Sequence, residues 1–329
     1  MPSKTHEWLS GLVTAGRAAT HPTLAQEREN AVRFAAAIPV PDGVVEDAFP
    51  GLTGALLFSL PEPREDLVIL HIHGGGFRTG TAAQARAAAG LLALRLNTRI
   101  VAPEYRLAPE HPFPAGLDDC EHAYEAVRAT YPAARIVVAG ESAGAGLAAS
   151  LLLRRRDAGD GAPVAGVLWS GVFDLRAEDL ASGSWAANAA TDAMITPWLG
   201  TQMAADYLAG QSPEDPQACP ALADLTGLPP LMILASGSEV LRDDSVALAA
   251  RAAGCGVETV LELWPHMHHA WPVFGSLLPE ALEALDRTAE FIRRVDAGRF
   301  VDGSALTDDP AILALMGTSQ EQGGGVIHE

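Results

Sequence analysis

Arg135-Ile136-Val137-Val138-Ala139-Gly140-Glu141-Ser142-Ala143-Gly144 is a short apolar run that ends in a Gly-x-Ser-x-Gly pentapeptide. The Ala- and Leu-rich segment after it, as far as Arg156, reads as a helix. A strand, a tight turn and a helix with serine at the apex expose that hydroxyl at the top of a sheet. A serine hydroxyl is a weak nucleophile, and a helix N-terminus aimed at the reacting carbon assists it. Gly140 and Gly144 suit a turn too tight for Cβ atoms on both sides. In a chain with 32 glycines the pentapeptide can also arise by chance, so the reading depends on partners elsewhere.

Outward from this point, strand-like and helical runs alternate. Asp66–His71, Arg99–Ala102, Arg135–Ala139, Ala165–Ser170, Pro230–Ala235 and Val257–Leu263 read as strands. Between and after them, Ala82–Leu96, Leu117–Tyr131, Ala143–Arg156, Asp244–Ala253 (closed by Gly254) and Pro279–Val295 read as helices. This alternation predicts an α/β fold, a mostly parallel sheet covered on both faces. Val44–Ala48 and Ala55–Leu60 predict an antiparallel hairpin at one edge.

Two segments break the rhythm. Residues 1–40 look helical and precede the first strand, and residues 175–225, rich in Ala, Asp, Pro and Trp, interrupt two core strands. Insertions of this kind gather over the strand C-termini. The two are expected to form a composite helical cap on a catalytic domain spanning residues 41–297. The tail, residues 298–329, is polar and Gly-rich and is expected to fray, with one helical turn at Pro310–Met316.

The 329 residues are 48% hydrophobic, enough for one large core, and carry a formal charge of −19. Nucleic acid and membrane surfaces are therefore not expected partners. Cys120, Cys219 and Cys255 have no metal or disulfide spacing and read as small buried hydrophobes in a reducing compartment. The first residues lack the apolar core of a signal peptide, and no apolar run is long enough to span a membrane. A cytoplasmic protein is the expectation.

Just past the strand ending at His71 stands His73-Gly74-Gly75-Gly76-Phe77. Consecutive glycines leave backbone N–H groups uncovered, able to converge on a developing oxyanion together with the N–H of Ala143. A phosphate-binding loop would need Lys-Ser/Thr behind the glycines, and Phe77-Arg78-Thr79 does not supply it. Taken in order, His73–Phe77, Tyr105-Arg-Leu-Ala-Pro-Glu-His-Pro-Phe-Pro-Ala115 and Gly140–Gly144 closely resemble the hormone-sensitive-lipase-like family of α/β-hydrolases, in its bacterial carboxylesterase branch. The resemblance covers about residues 40–297. One departure is Glu141, where the family usually carries Asp; this carboxylate reads as structural support. Tyr105, Arg106, Asp118 and Asp119 read as scaffold.

The resemblance implies a Ser-acid-His triad in that chain order. The family pattern places the acid at Glu239, with Asp243 a rival that also suits the first turn of the next helix. Within Trp264-Pro-His-Met-His-His-Ala-Trp271 it places the base at His269, leaving His266 and His268 on the rim. Three histidines invite a metal, but no carboxylate or cysteine accompanies them at ligand spacing, and neither metal nor cofactor is expected. The implied mechanism has Ser142 as nucleophile, Glu239 and His269 as acid and base, and Gly74, Gly75 and Ala143 as oxyanion donors. Trp8, Trp185 and Trp198 in the cap, with Phe77 and Trp271 beside the catalytic loops, are candidates for an apolar pocket, though each could equally be core. The implied function is a serine carboxylesterase acting on small-molecule esters of short-to-medium acyl chain, or on lactones. A homodimer through strand 257–263 is also implied. Rival readings are an amidase or deacetylase on the same triad, a dehydratase, and a non-catalytic ligand receptor, which the presence of His269 argues against.

Overall fold

The computed structural model describes residues 2–7 and 22–298, so the expectations for Trp8 and for Pro310–Met316 fall outside the described residues. Eight strands form one sheet: β1 (Val45–Ala48), β2 (Leu56–Ser59), β3 (Leu67–Ile72), β4 (Arg99–Ala102), β5 (Arg135–Glu141), β6 (Ala165–Trp169), β7 (Leu231–Ser236) and β8 (Thr259–Trp264). Their order is β1-β2-β4-β3-β5-β6-β7-β8. β2 runs antiparallel to both neighbours, and every other pairing is parallel. The expected edge hairpin is therefore β1–β2, and the sheet is of the mostly parallel α/β kind.

Burial on both faces explains the continuous apolar runs. In β3, Val68, Leu70 and Ile72 pack into one core layer, and Leu67 and Ile69 into the other. Helices cover both sides. α3 (Ala115–Thr130), α4 (Ala143–Ala158) and α7 (Arg242–Gly254) pack on the first layer; α2 (Arg86–Leu96) and α8 (Pro279–Asp296) pack on the second. α4 is buried along nearly its whole length, whereas α8 buries a stripe, Ala281, Ala284, Leu285, Thr288, Ala289 and Ile292, at helical spacing.

Some boundaries differ from the sequence reading. The run 82–96 splits into a short 3₁₀ turn, Ala82–Ala85, and then α2, because Thr81 and Gln84 form a capping box that starts a separate turn. α7 runs through Gly254, and the left-handed residue beyond it is Gly256 at φ 77°. Cys120 and Cys219 are buried, but Cys255 is half-exposed because it stands at the end of α7.

The two irregular segments are helical in part. α1 (Leu24–Ala37) begins with a capping box between Thr23 and Gln26. Residues 175–225 hold α5 (Gly183–Ala187), α6 (Pro197–Leu208) and two 3₁₀ turns. No helix among the described residues is long and apolar enough to cross a membrane.

Candidate active site

β5 ends at Glu141, α4 starts at Ala143, and Ser142 between them sits at φ 56°, ψ −126°. This conformation is costly for a residue with a side chain, and such strain concentrates at functional sites. The surroundings enforce it. A Cβ on Gly140 would stand 2.4 Å from the Gly144 carbonyl oxygen, and one on Gly144 only 2.2 Å from that of Ile72. Ser142 is hydrogen-bonded through its backbone, donating to Trp169 O at 2.8 Å and accepting from Val172 N at 3.2 Å. It lines a cavity of about 850 Å³ together with Gly74, Gly75, Gly76, Glu141 and His269.

His269 and Glu239 meet over the ends of β7 and β8. His269 Nδ1 donates to Glu239 Oε2 at 2.7 Å, and both residues are buried. Glu239 Oε1 accepts from Ser236 N at 2.6 Å and from the Ser170 hydroxyl at 2.9 Å. Burial works against a charged imidazole here. The hydrogen bond and charge of Glu239, aided by Asp192 and Glu141, outweigh it and raise the His269 pKa above its ordinary value. Asp243 is turned elsewhere: its Oδ2 accepts Ser184 N at 2.7 Å and its Oδ1 accepts Arg242 Nε at 2.7 Å.

The three amides expected to face an oxyanion, those of Gly74, Gly75 and Ala143, differ in their bonding. Gly74 N, expected as a donor, is already committed to Glu141 Oε1 at 2.8 Å. The amides of Gly75, Gly76 and Ala143 have no acceptor among the described residues. Gly75 sits at φ 114°, where a Cβ would lie 2.2 Å from Thr79 O, so the loop tolerates only glycine there. Glu141 also pairs with the fully buried His71, Oε2 to Nε2 at 2.7 Å. The carboxylate beside the nucleophile therefore acts as a strut under the oxyanion loop. Tyr105 supports the same loop, donating from its hydroxyl to His73 O at 2.9 Å and stacking on the His73 ring. Arg106 pairs with Asp119 and Arg154 with Asp118, so the two aspartates hold arginines in the scaffold.

Of the pocket aromatics, Trp198 lines the cavity and is 37% exposed. The other three are core. Phe77 stacks on Tyr207 at 3.8 Å, Trp185 packs against the Cα face of Gly200, and Trp271 has no exposed surface and sits beside Trp264. Large rings next to a catalytic loop are as useful for fixing the loop from behind as for facing a substrate. The remaining cavity wall comes from α1 (Asn30, Phe34) and from Met194, Ile195, Leu199 and Met203 of the second irregular segment. Arg78 joins these walls: its Nε lies 2.7 Å from Asp206 of α6, and its Nη1 lies 3.6 Å from Glu27 of α1.

His268 stacks on His6 at 4.1 Å, and burial followed by the neighbouring His6 pushes its pKa down to about 4. His266 borders a second, smaller cavity behind the His269–Glu239 pair. Among the described residues no group of three or more His, Cys, Asp or Glu side chains is arranged to hold a metal ion.

Three residues that sequence reasoning missed complete the site. Ser170 joins the acid to the base loop. Asn188 donates to the carbonyl of Glu239 at 2.8 Å. Asp192 accepts from Val240 N at 2.9 Å and from Met194 N at 2.8 Å. No local pattern marks them; the one available hint is that Ser170 stands at the tip of a central strand, where such folds place functional groups.

Comparison with known proteins agrees with this geometry. Residues 69–273 match a family model described as the alpha/beta hydrolase fold. The chain is 37% identical to an acetyl-hydrolase of Streptomyces hygroscopicus over 234 residues, 71% of this chain and 77% of that protein. It is 34% identical to an esterase of Acinetobacter venetianus, over 70% of this chain and 75% of that one. Among solved structures, an esterase of the bacterial hormone-sensitive lipase family superposes with a TM-score of 0.83 at 34% identity, covering 89% of this chain and 99% of that one.

Proposed function

The chain belongs to the α/β-hydrolase fold family, in the branch of bacterial hormone-sensitive-lipase esterases, and is a carboxylic ester hydrolase; from that premise we propose that it works through an acyl-enzyme formed on Ser142 by a Ser142–His269–Glu239 triad. The observation that carries this reading is the 2.7 Å bond from His269 Nδ1 to Glu239, made beside the cavity that Ser142 lines. With Nδ1 donating to the carboxylate, Nε2 is the free, basic nitrogen.

Ser142 Oγ attacks the ester carbonyl as His269 Nε2 takes its proton. The carbonyl oxygen becomes an oxyanion held by the amides of Ala143, at the N-terminus of α4, and of Gly75, with Gly76 replacing Gly74 as the third donor. One such donor contributes about 10²–10³ in rate. His269 then gives its proton to the leaving alcohol. Water, activated by the same imidazole, hydrolyses the acyl-enzyme and releases the acid. Glu239 holds the tautomer and stabilises the imidazolium throughout.

The substrates proposed are esters of short-to-medium acyl chain, with lactones a natural extension because ring opening leaves the alcohol tethered to the acyl group. α1 and residues 175–225 act as a two-part cap on the catalytic domain, joined through Arg78. β8 is the free edge of the sheet and exposes Leu261 and Leu263, the face on which a homodimer would pair.

The test is hydrolysis of p-nitrophenyl acetate and butyrate by the purified protein. Ser142→Ala should lower kcat by about 10⁵–10⁶-fold. A mutant as active as the wild type would refute the mechanism.

A further inference from the structure

The hydroxyl of Ser170 touches the acid–base pair, yet Ser170 has no part in the proposed proton transfers. It stands one residue past β6, at φ 49° and with no exposed surface. Its oxygen accepts the amide N–H of Ala270, the residue after the base, at 3.0 Å. Its hydrogen goes to Glu239 Oε1 at 2.9 Å. The Ser170 backbone is fixed as well, its N–H donating to Leu234 O at 2.7 Å. β6 lies between the strand that ends at the nucleophile and the strand that leads to the acid, so this hydroxyl sits centrally among the three loops.

We infer that Ser170 is a positioning residue for the Glu239–His269 pair, holding the carboxylate in rotation and the turn after the base in place. The inference rests on the triad reading above. A glutamate carboxylate has a broad terminal torsion, so it presents one oxygen squarely to an imidazole only if the other is tied down. Two donors tie Oε1 here, the Ser236 amide and the Ser170 hydroxyl. Oε2 is then left for His269, and the Ser170–Ala270 bond brings the base loop to meet it. A buried serine that only satisfied its own polarity would not need to join both loops.

Two variants separate positioning from packing. Ser170→Ala deletes the hydroxyl and keeps the strained backbone, whereas Ser170→Gly deletes the hydroxyl and relaxes that strain. They should differ in thermal stability and agree in catalysis. Both should lower kcat on p-nitrophenyl acetate roughly ten- to a hundredfold, with KM little changed.

Both should also move the titration of His269 to lower pH. A carboxylate no longer held in rotation presents Oε2 less squarely to the imidazole, and that hydrogen bond and charge are what raise the His269 pKa above its ordinary value. The other charges acting on His269, Asp192 and Glu141, are the same in every variant. Proton NMR titration of His269 in a Ser142→Ala background reads this shift without turnover. An inactive wild type would therefore overturn the esterase mechanism and still leave this readout. If Ser170→Gly keeps wild-type kcat, or if neither variant lowers the pH at which His269 titrates, Ser170 is a packing residue and the inference fails.

Discussion

The two flanks of the cavity floor are held by different means. On the nucleophile flank, at the ends of β3 and β5, backbone shape does the holding. Ser142 at φ 56°, Gly75 at φ 114° and Gly76 at φ 61° leave amides uncovered, and glycine is required wherever neighbouring backbone closes in. On the acid–base flank, at the ends of β6, β7 and β8, side chains do it. Glu239, Ser170, Asn188 and Asp192 fix the loops by hydrogen bonds between residues far apart in the chain. A backbone-held site is pre-shaped by local sterics and offers few positions to substitute. A side-chain-held site can be dismantled one bond at a time. Glu141 is the exception on the nucleophile flank, a side chain holding the backbone of the neighbouring glycine loop.

Loss of the nucleophile itself aside, the largest expected effect tests the acid–base flank. Glu239→Gln keeps the shape and removes the charge, so kcat should fall about 10⁴-fold, as when a triad acid imposes the wrong tautomer. Asp243→Asn should cost less than about tenfold, because Asp243 binds Ser184 and Arg242 rather than the imidazole. Steady-state kinetics on one acetate ester decides it, and a deeper loss in Asp243→Asn would transfer the acid role.

A smaller effect tests the nucleophile flank. Glu141→Ala frees the Gly74 amide and leaves His71 without its carboxylate. The oxyanion loop should then hold the transition state less well, lowering kcat roughly ten- to a hundredfold, less than the about 10²–10³ for outright loss of a donor. Glu141→Gln, which keeps an acceptor for Gly74 N, should recover much of that. Equal losses in the two variants would assign the role to charge instead of to the strut.

The same contrast explains what the sequence made legible. The nucleophile flank is written locally: a strand, Gly-x-Ser-x-Gly, a helix and a run of glycines are contiguous, and their steric reasons are visible in the residue types. Not legible there was that the Gly74 amide is taken, because the acceptor that occupies it, Glu141, lies 67 positions on. The sheet was equally legible, since both faces of its central strands are apolar. On the other flank, the family resemblance together with triad order along the chain pointed to Glu239 and His269, but Ser170 and Ala270 are 100 residues apart and no periodicity links them. Residues 175–225 have neither helical nor strand period throughout, so Asn188 and Asp192 could not be singled out within them. Trp185 and Trp271 illustrate a further limit: a large ring near a site has the same letter whether it faces the cavity or supports the wall.

The smallest effect concerns the roof, which belongs to neither flank. Trp198 follows Pro197 at the start of α6 and lines the cavity near Ile195 and Leu199, with Phe274 of the base side also on the wall. If the roof only encloses the acyl chain, removing the indole should not touch the chemistry. Trp198→Ala should then leave kcat on acetate esters within about twofold. It should weaken longer chains progressively, since each methylene that loses its wall forfeits up to about 0.8 kcal/mol. The measurement is kcat/KM across an acyl-length series, read as the slope against chain length. A flatter slope with an unchanged acetate rate makes the roof a specificity wall. A uniform loss at every length would mean that α6 shapes the oxyanion loop through the Asp206–Arg78 contact, and the division between floor and roof would have to be redrawn.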